Sequence, residues 1–160
     1  CIRDSLYVAE LQEMRSLEGQ LAEAFMQMAE VASNPTLKSV LAEQREQALA
    51  QEQRLGAMLS RHDANPMAHT DQAMEALVGE TEKMLMMVKG NDLRDAATIA
   101  SAQKIAHYQI AAYGTAAALA GQLNLRDDQR TLHQSLEEEK DADKALTQLA
   151  KGEVNHDAAA

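Results

Sequence analysis

The chain has 160 residues, a formal net charge of −10, and a makeup that is 46% hydrophobic but only 2% aromatic. The acidic balance argues against nucleic acid as a partner, because binding phosphates needs a basic face. No apolar run approaches the roughly 20 residues of a membrane span, so we expect no membrane either. The lone Cys1 cannot form an internal disulfide, and the early acidic residues Asp4, Glu10 and Glu13 do not fit a secretory signal. These features predict a cytoplasmic protein.

Strong helix formers dominate the sequence, chiefly alanine, leucine, glutamine, glutamate and methionine. Only two prolines and seven glycines interrupt them, and no run of β-branched residues indicates a strand. The composition therefore predicts an all-α protein. Since no low-complexity linker divides the chain, we expect one helical domain over residues 1–151 and a frayed tail over residues 152–160.

Capping and stop signals divide the chain into five helices. Asn34 precedes Pro35, and such a pair caps and starts a helix. Gly90 is a stop signal, Asn124 is expected in the left-handed position after a helix, and Gly152 is expected to end the last one. These signals predict helices at about residues 5–32, 35–60, 71–89, 92–123 and 126–151.

The helix lengths indicate how the helices pack. Four are long, and the third is shorter. The first and second are joined by so short a connection that they must be antiparallel neighbours. We predict a ferritin-like four-helix bundle in which the short third helix lies in the crossover between the second and the fourth.

Polar residues interrupt the apolar seam of each long helix near its middle. Read at alternating steps of four and three, the first seam runs from Tyr7 to Met28 and is apolar except at Glu18. A charge at such a position costs several kcal/mol unless it is paired or bound. The other seams carry Gln47 or Gln51, then Gln109, then Glu139 and Asp143. Four helices that place polar groups at one depth predict a shared polar layer.

The residues leave two interpretations of this layer. In the first, Glu139 and Asp143 share a helix face and chelate a metal ion that Glu18 bridges from a neighbouring helix. In the second, glutamine amides and the Tyr113 hydroxyl donate to the carboxylates in a buried network. The chain has no Glu-x-x-His motif, and His107 is more typical of a partly buried hydrogen-bonding residue than of a ligand. We expect the other histidines to be solvated, and Glu137, Glu138 and Lys140 to form a mostly solvated face.

Several blocks of the sequence resemble a known family. The stretch at residues 93–115 reads LRDAATIASAQKIAHYQIAAYGT and closely resembles the bacterial YciE/YciF family. Shorter blocks that look like the family are RSLEGQL at 15–21, AMEAL at 73–77 and LEEE at 136–139. That family is ferritin-like and associated with stress responses. The resemblance implies a ferritin-like bundle, usually dimeric, with a di-iron or dimanganese carboxylate site.

The carboxylate positions of that family are only partly kept. Its acids match Glu18, Glu139 and Asp143 of this chain. The family usually has two adjacent Glu and then Gln on its second helix, and Glu-His-Tyr-Glu on its fourth. The matching residues here are Glu46, Gln47 and Gln51 on the second helix and Ala106, His107, Tyr108 and Gln109 on the fourth. Three ligand carboxylates that the resemblance implies are thus replaced, two of them by the near-isosteric amide.

Loss of these charges weakens the expected metal site. Hard divalent cations select carboxylates over amides, and two such ions need about four negative charges nearby. We therefore expect one weakly bound Fe or Mn ion, or none. The expected ligands are Glu18, Glu139 and Asp143, with Glu46, Gln51 and His107 as weaker contributors. The polar layer is completed by Gln47, Gln109 and Tyr113.

The favoured function is a stress-associated structural or binding protein with a degenerate metal site, acting as a homodimer. The alternative is an active di-iron or dimanganese metalloenzyme, either a ferroxidase or a peroxide-consuming oxidase. Such an enzyme would use the same carboxylates around one or two metal ions. Metal analysis of protein purified without chelator separates the two hypotheses.

Overall fold

A computed structural model describes residues 2–154, and within that range the chain is helical apart from its connections. The helices are α1 (Ile2–Val31), α2 (Pro35–Arg61), α3 (Gln72–Met87), α4 (Asn91–Gln122) and α5 (Arg126–Leu149). The prediction of four long helices and a short third one is confirmed. No helix in the described range is both long and apolar enough to cross a membrane.

Side-chain caps and a left-handed residue set the helix ends. The Asn34 side chain accepts a hydrogen bond from the Leu37 amide at 3.0 Å and so caps α2 as predicted. Asp71 caps α3 in the same way, accepting from the Met74 amide at 2.7 Å. Asn124 has a φ of 59°, so it takes the predicted left-handed conformation between α4 and α5. Each device satisfies or redirects backbone groups that a helix end leaves free.

Helical backbone continues past the predicted end of the last helix. After α5 the chain enters a π-helical segment, Ala150–Val154, so the prediction that Gly152 ends the helix is wrong. Glycine stops a helix when it adopts a positive φ, and Gly152 does not do so. Beyond Val154 the predicted tail lies outside the described residues.

The two helical hairpins determine the topology. α1 and α2 form one hairpin, α4 and α5 form the other, and they pack with α1 beside α4 and α2 beside α5. Buried residues in the second half of α1 cluster with those in the first half of α4, so these helices are antiparallel. As a result α2 and α4 run in the same direction, and the chain must return along the bundle between them. Residues 62–90 make that crossover, in which α3 packs on α1 and α4.

The apolar core consists of two clusters, one toward each end of the bundle. The first includes Leu21, Leu41, Ile105 and Leu146. The second includes Leu11, Leu55, Ala116 and Leu132. Burying each large aliphatic side chain stabilises the fold by about 1.5–3 kcal/mol. On every long helix the segment between the two clusters carries the polar residues singled out above, so the polar layer divides the core.

Candidate functional site

Glu18 lies at the centre of the polar layer and is fully buried. Gln109 of α4 donates from Nε2 to both carboxylate oxygens of Glu18, at 3.1 Å each. Tyr113, one turn further along α4, donates from its hydroxyl to Glu18 Oε1 at 2.8 Å. Residues four apart share a helix face, so both donors point from α4 toward α1. These hydrogen bonds tie the two hairpins together.

Glu139 is the second buried carboxyl group of the layer and is 1% exposed. Gln47 of α2 donates from Nε2 to Glu139 Oε1 at 2.9 Å. Glu139 Oε2 has no hydrogen-bond partner among the described residues, and neither has Oε1 of Gln109. A buried acceptor without a donor is costly. The layer is therefore short of donors, and a proton on Glu139 would supply one.

Arg54 and Glu138 extend the layer toward the bundle surface. Arg54 Nη1 donates to Glu138 Oε2 at 2.6 Å, and Gln51 Nε2 donates to the same oxygen at 3.1 Å. Oε1 of the buried Gln51 lies 3.4 Å from the Tyr113 hydroxyl, whereas Glu18 Oε1 is closer to it, at 2.8 Å. Glu137 and Lys140 of the expected solvated face are exposed, but Glu138 is only 26% exposed. The sequence held one signal for this contact, since Arg54 follows Gln51 by three positions and shares its helix face.

Burial raises the pKa of both core carboxyls. Desolvation is the main cause of the raised pKa of Glu18, and the charge of Glu139 adds to it, whereas hydrogen bonds from Tyr113 and Gln109 oppose it. Desolvation likewise raises the pKa of Glu139 against the hydrogen bond from Gln47. Each environment favours the neutral form of the acid. The surroundings thus shift both carboxyls toward their neutral form.

Three of the expected ligands lie away from the buried carboxyls. Asp143 is partly exposed and faces α4, where His107 Nε2 and Gln103 Nε2 each lie 3.4 Å from its Oδ1. His107 is 68% exposed, so the expectation of a partly buried histidine is wrong. Glu46 lies on the surface and pairs with Arg45 at 2.6 Å. The structure therefore brings Glu18, Gln47, Gln51, Gln109, Tyr113 and Glu139 together, but not these three.

The positions of these side chains decide whether the chain could hold the two metal ions that the family resemblance implies. The layer contains two buried carboxyls, Glu18 and Glu139, where two divalent ions need about four negative charges. Among residues 4–152, no group of three or more His, Cys, Asp or Glu side chains is placed to hold a metal ion. The described residues do not fit a two-metal centre.

A further buried carboxylate closes one end of the bundle. Asp128, in the first turn of α5, accepts from the Tyr7 hydroxyl at 2.9 Å, lies 2.7 Å from His62 Nε2 and pairs with Arg61. Burial alone would raise the pKa of Asp128, but the hydrogen bonds from Arg61, His62 and Tyr7 lower it. His62 was expected to be solvated, yet its ring packs edge-on against Tyr7. We call this group the Asp128 cluster. It joins α1, α2 and α5.

An apolar groove of about 250 Å³ opens on the other side of the molecule, between α1 and α3. Its lining includes Met28, Val31, Val78, Leu85 and Met86, with Glu82 of α3 and Arg94 of α4 beside them. Met86 is 82% exposed, and the adjacent Met87 is 68% exposed. Within the described part of the chain, Glu82 and Arg94 form no ion pair. We call the groove together with Met86 and Met87 the α3 patch.

Fold and site together define a class of protein. A four-helix bundle with one long crossover and inward-facing carboxyls at mid-height is the arrangement of ferritin-like proteins. Within that class, the family model described as "Domain of unknown function (DUF892)" matches residues 3–159. The chain therefore belongs to the DUF892 family.

Individual relatives agree with this assignment. The chain is 36% identical over 153 residues to protein YciF of Escherichia coli (strain K12), covering 95% of this chain and 92% of YciF. The solved structure of the E. coli stress protein YciF matches with a TM-score of 0.90 at 35% identity, covering 96% of this chain and 97% of that one. YcfI from Rhodopseudomonas palustris matches with a TM-score of 0.87 at 30% identity, covering 91% and 92%. The resemblance to the YciE/YciF family is confirmed.

Proposed function

We propose that this chain is a stress-associated structural protein, a ferritin-like bundle whose metal site has degenerated into a hydrogen-bonded layer. Two relatives support the proposal. YciF of E. coli is described as a stress protein, and YcfI of R. palustris has been proposed to be a structural protein. Both relatives align over more than nine-tenths of this chain, so a shared role of the whole bundle is the simplest inference.

The observation that carries the proposal is the donor set around the buried carboxyls. Gln109, Tyr113 and Gln47 direct N–H and O–H groups at the oxygens of Glu18 and Glu139. Such donors compete with a cation for the same lone pairs. A hydrogen-bonded network of this kind stabilises the contact between the hairpins without a metal.

We further propose that the layer holds at most one weakly bound Fe or Mn ion. The two carboxyls Glu18 and Glu139 carry charge for one divalent ion, and Asp143 faces Gln103 and His107 instead. The same burial raises the pKa of both acids and so disfavours the charged form that an ion would bind. Weak affinity follows from this competition.

Thermal unfolding with and without metal tests the metal proposal. We expect the melting temperature of the wild type to shift by less than about 2 °C when Fe(II) or Mn(II) is added. Protein purified without chelator should carry far less than one metal ion per chain. A large metal-dependent shift with stoichiometric metal would overturn the proposal and favour the ferroxidase or oxidase alternative.

A variant with restored carboxylates is the positive control. It combines Gln47→Glu, Ala106→Glu and Gln109→Glu. Each single change adds an unpaired charge to an acidic layer and should lower the melting temperature without metal. The triple variant should gain stability as Fe(II) or Mn(II) concentration rises, because the ion binds only the folded state.

We propose that the protein is a homodimer that associates through the α3 patch. The patch presents a protruding Met86 beside an apolar groove, so it offers both halves of a self-complementary contact. We propose a two-fold dimer in which Glu82 of one subunit pairs with Arg94 of the partner subunit, a contact that such a dimer would contain twice. Both charges line the groove and form no ion pair within the described part of the chain. These opposite charges beside an apolar groove support self-association through the α3 patch.

Charge reversal tests the homodimer. Glu82→Arg or Arg94→Glu alone should place like charges opposite each other and weaken the dimer in sedimentation velocity. The two changes combined restore opposite charges and should restore association. A monomeric wild type at high concentration would contradict the homodimer. Equal effects of the single and double variants would contradict this interface.

Location and partners follow from charge and composition. We propose a cytoplasmic protein that binds neither nucleic acid nor membrane. The formal net charge of −10 repels phosphate backbones and anionic lipid surfaces. Gel-shift and vesicle sedimentation at low ionic strength, where attraction is strongest, should show no binding.

A further inference from the structure

We propose that Met86 is an oxidation site whose conversion to methionine sulfoxide dissociates the homodimer. The inference rests on the proposed self-association through the α3 patch. It adds regulation of that contact by an oxidant.

The positions of the methionines set Met86 apart. Met86 lines the apolar groove and yet is 82% exposed, so its thioether is open to small oxidants. Met28, on the groove wall, is 2% exposed and protected. Met67 is 72% exposed but lies outside the groove, in the loop before α3, where its sulfur accepts a hydrogen bond from Arg15 Nη1 at 2.9 Å. Met86 therefore combines access to solvent with a place in the groove, whereas the exposed Met67 and Met87 do not line it.

The chemistry needs only a two-electron oxygen donor such as hydrogen peroxide. The sulfur lone pair of Met86 attacks one peroxide oxygen, an S–O bond forms and the O–O bond breaks. The sulfur is oxidised by two electrons, and the peroxide is reduced to one molecule of water as the transferred oxygen stays on sulfur. Sulfoxides of this kind are returned to thioethers by methionine sulfoxide reductases, so the modification is reversible.

The added oxygen changes the docking surface. A thioether packs well in an irregular apolar groove, but a sulfoxide brings a strong acceptor that the groove does not pair. The groove walls around it are Val31, Val78 and Leu85. Because a two-fold dimer contains the contact twice, the penalty is doubled. We expect the dissociation constant to rise at least about tenfold.

Dimerisation in turn should protect Met86. In the dimer the thioether is covered, so oxidation proceeds through the dissociated chain. The rate at Met86 should fall as protein concentration rises, whereas the rate at Met67 should not change. This dependence links the modification to the interface through mass action.

The experiment treats the full chain with hydrogen peroxide, locates sulfoxides by peptide mass spectrometry and measures association by sedimentation velocity. The wild type and Met67→Leu should both dissociate after oxidation. Met86→Leu combined with Met87→Leu should remain dimeric, since leucine keeps the apolar volume but cannot be oxidised. Met86→Gln should weaken the dimer before any oxidant is added.

The outcomes distinguish this inference from the one on which it rests. A wild type that is monomeric before oxidation defeats the proposed self-association and the inference with it. A wild type that stays dimeric with Met86 oxidised defeats the inference alone. Dissociation of the Met86→Leu, Met87→Leu variant on oxidation would also defeat it, because another residue would then be responsible.

Discussion

Two neighbouring glutamates on α5 have opposite surroundings. Burial acts to raise the pKa of Glu138, but hydrogen bonds from Arg54 and Gln51 lower it overall. Burial raises the pKa of Glu139. A carboxyl whose pKa is lowered by folding stabilises the fold at pH values above its pKa in the unfolded chain. This contribution is lost as the pH falls through its pKa in the folded chain. A carboxyl whose pKa is raised by folding makes its full contribution to stability only at pH values below its pKa in the unfolded chain. This contribution is lost as the pH rises through its pKa in the folded chain.

Glu139→Gln should therefore stabilise the protein at pH 7, by about 1 kcal/mol. The change removes the cost of ionising a buried carboxyl, and its new amide adds a donor to a layer with an unpartnered acceptor on Gln109. Urea unfolding near pH 7 and near pH 4 measures the effect, which should shrink at the lower pH. Glu138→Gln is the matched control and should destabilise at pH 7, since it breaks the pair with Arg54. A clear loss of stability in Glu139→Gln would indicate a bound cation.

Asp128→Asn should be among the more destabilising single changes at a polar residue. It leaves Tyr7, Arg61 and His62 without their shared carboxylate, and we expect a loss of about 2–3 kcal/mol. Because the pKa of Asp128 is lowered, the difference from wild type should narrow as the medium is acidified. The adjacent Asp127 is 88% exposed, and Asp127→Asn should change stability by less than about 0.5 kcal/mol. Chemical unfolding across a pH series checks both variants.

Helix periodicity predicted the buried half of the polar layer and failed at its margin. Glu18 and Gln109 are buried as predicted, because they lie on the apolar face of their helices and that face packs against the core. Asp143 is not, since four residues advance a helix by about 400°, which turns Asp143 about 40° away from Glu139. The residues that Asp143 then contacts depend on how α4 packs against α5. The residue pattern of a single helix does not contain that information. The long-range partner Arg54 was missed for the same reason.

At the scale of elements, α4 owes its place to small residues. Its buried face includes Ala102, Ala106, Ala116 and Ala120, which allow close approach of the neighbouring helices. Gly121 allows the same close approach at the carboxyl end of α4, where an added Cβ would lie 2.6 Å from Gln129 Nε2 of α5. Gly114 is different, because a Cβ there would meet no atom within 4 Å.

Gly114→Ala should stabilise the protein by about 1 kcal/mol through helix propensity. Gly121→Ala should increase stability less than Gly114→Ala, because the Gln129 side chain must move to make room for the added Cβ. Combining Gly121→Ala with Gln129→Ala should recover part of the gain. Thermal unfolding of the three variants tests the comparison, and a destabilised Gly114→Ala would show that the open space is needed for another purpose.

The helix ends illustrate what local sequence can and cannot predict. Asn34 and Asn124 were predicted from residue type alone, because capping and left-handed backbone depend on a few neighbouring atoms. The helix end predicted at Gly152 was wrong, because glycine permits a helix end without requiring one.

At the scale of the whole molecule, the net charge of −10 acts on stability through self-repulsion. Raising sodium chloride at pH 7.5 should increase the melting temperature by a few degrees, equivalent to about 1 kcal/mol, as the repulsion is screened. The effect should be much smaller near the sequence isoelectric point of about 4.9. A melting temperature that falls with salt at pH 7.5 would mean that ion pairs such as Arg54–Glu138 outweigh the repulsion.

The division of the apolar core by a polar layer also fixes how the two hairpins are aligned. Two purely apolar surfaces could slide past each other by one helical turn, about 5.4 Å, with little loss of stability. Here such a slip would carry Gln109 into an apolar cluster and leave the Glu18 carboxyl without its donors. A single polar position is enough to select one alignment in helical assemblies, and this bundle has at least one on each of four helices. The same selectivity extends to hairpins exchanged between two copies of the chain, which could associate only in the native alignment.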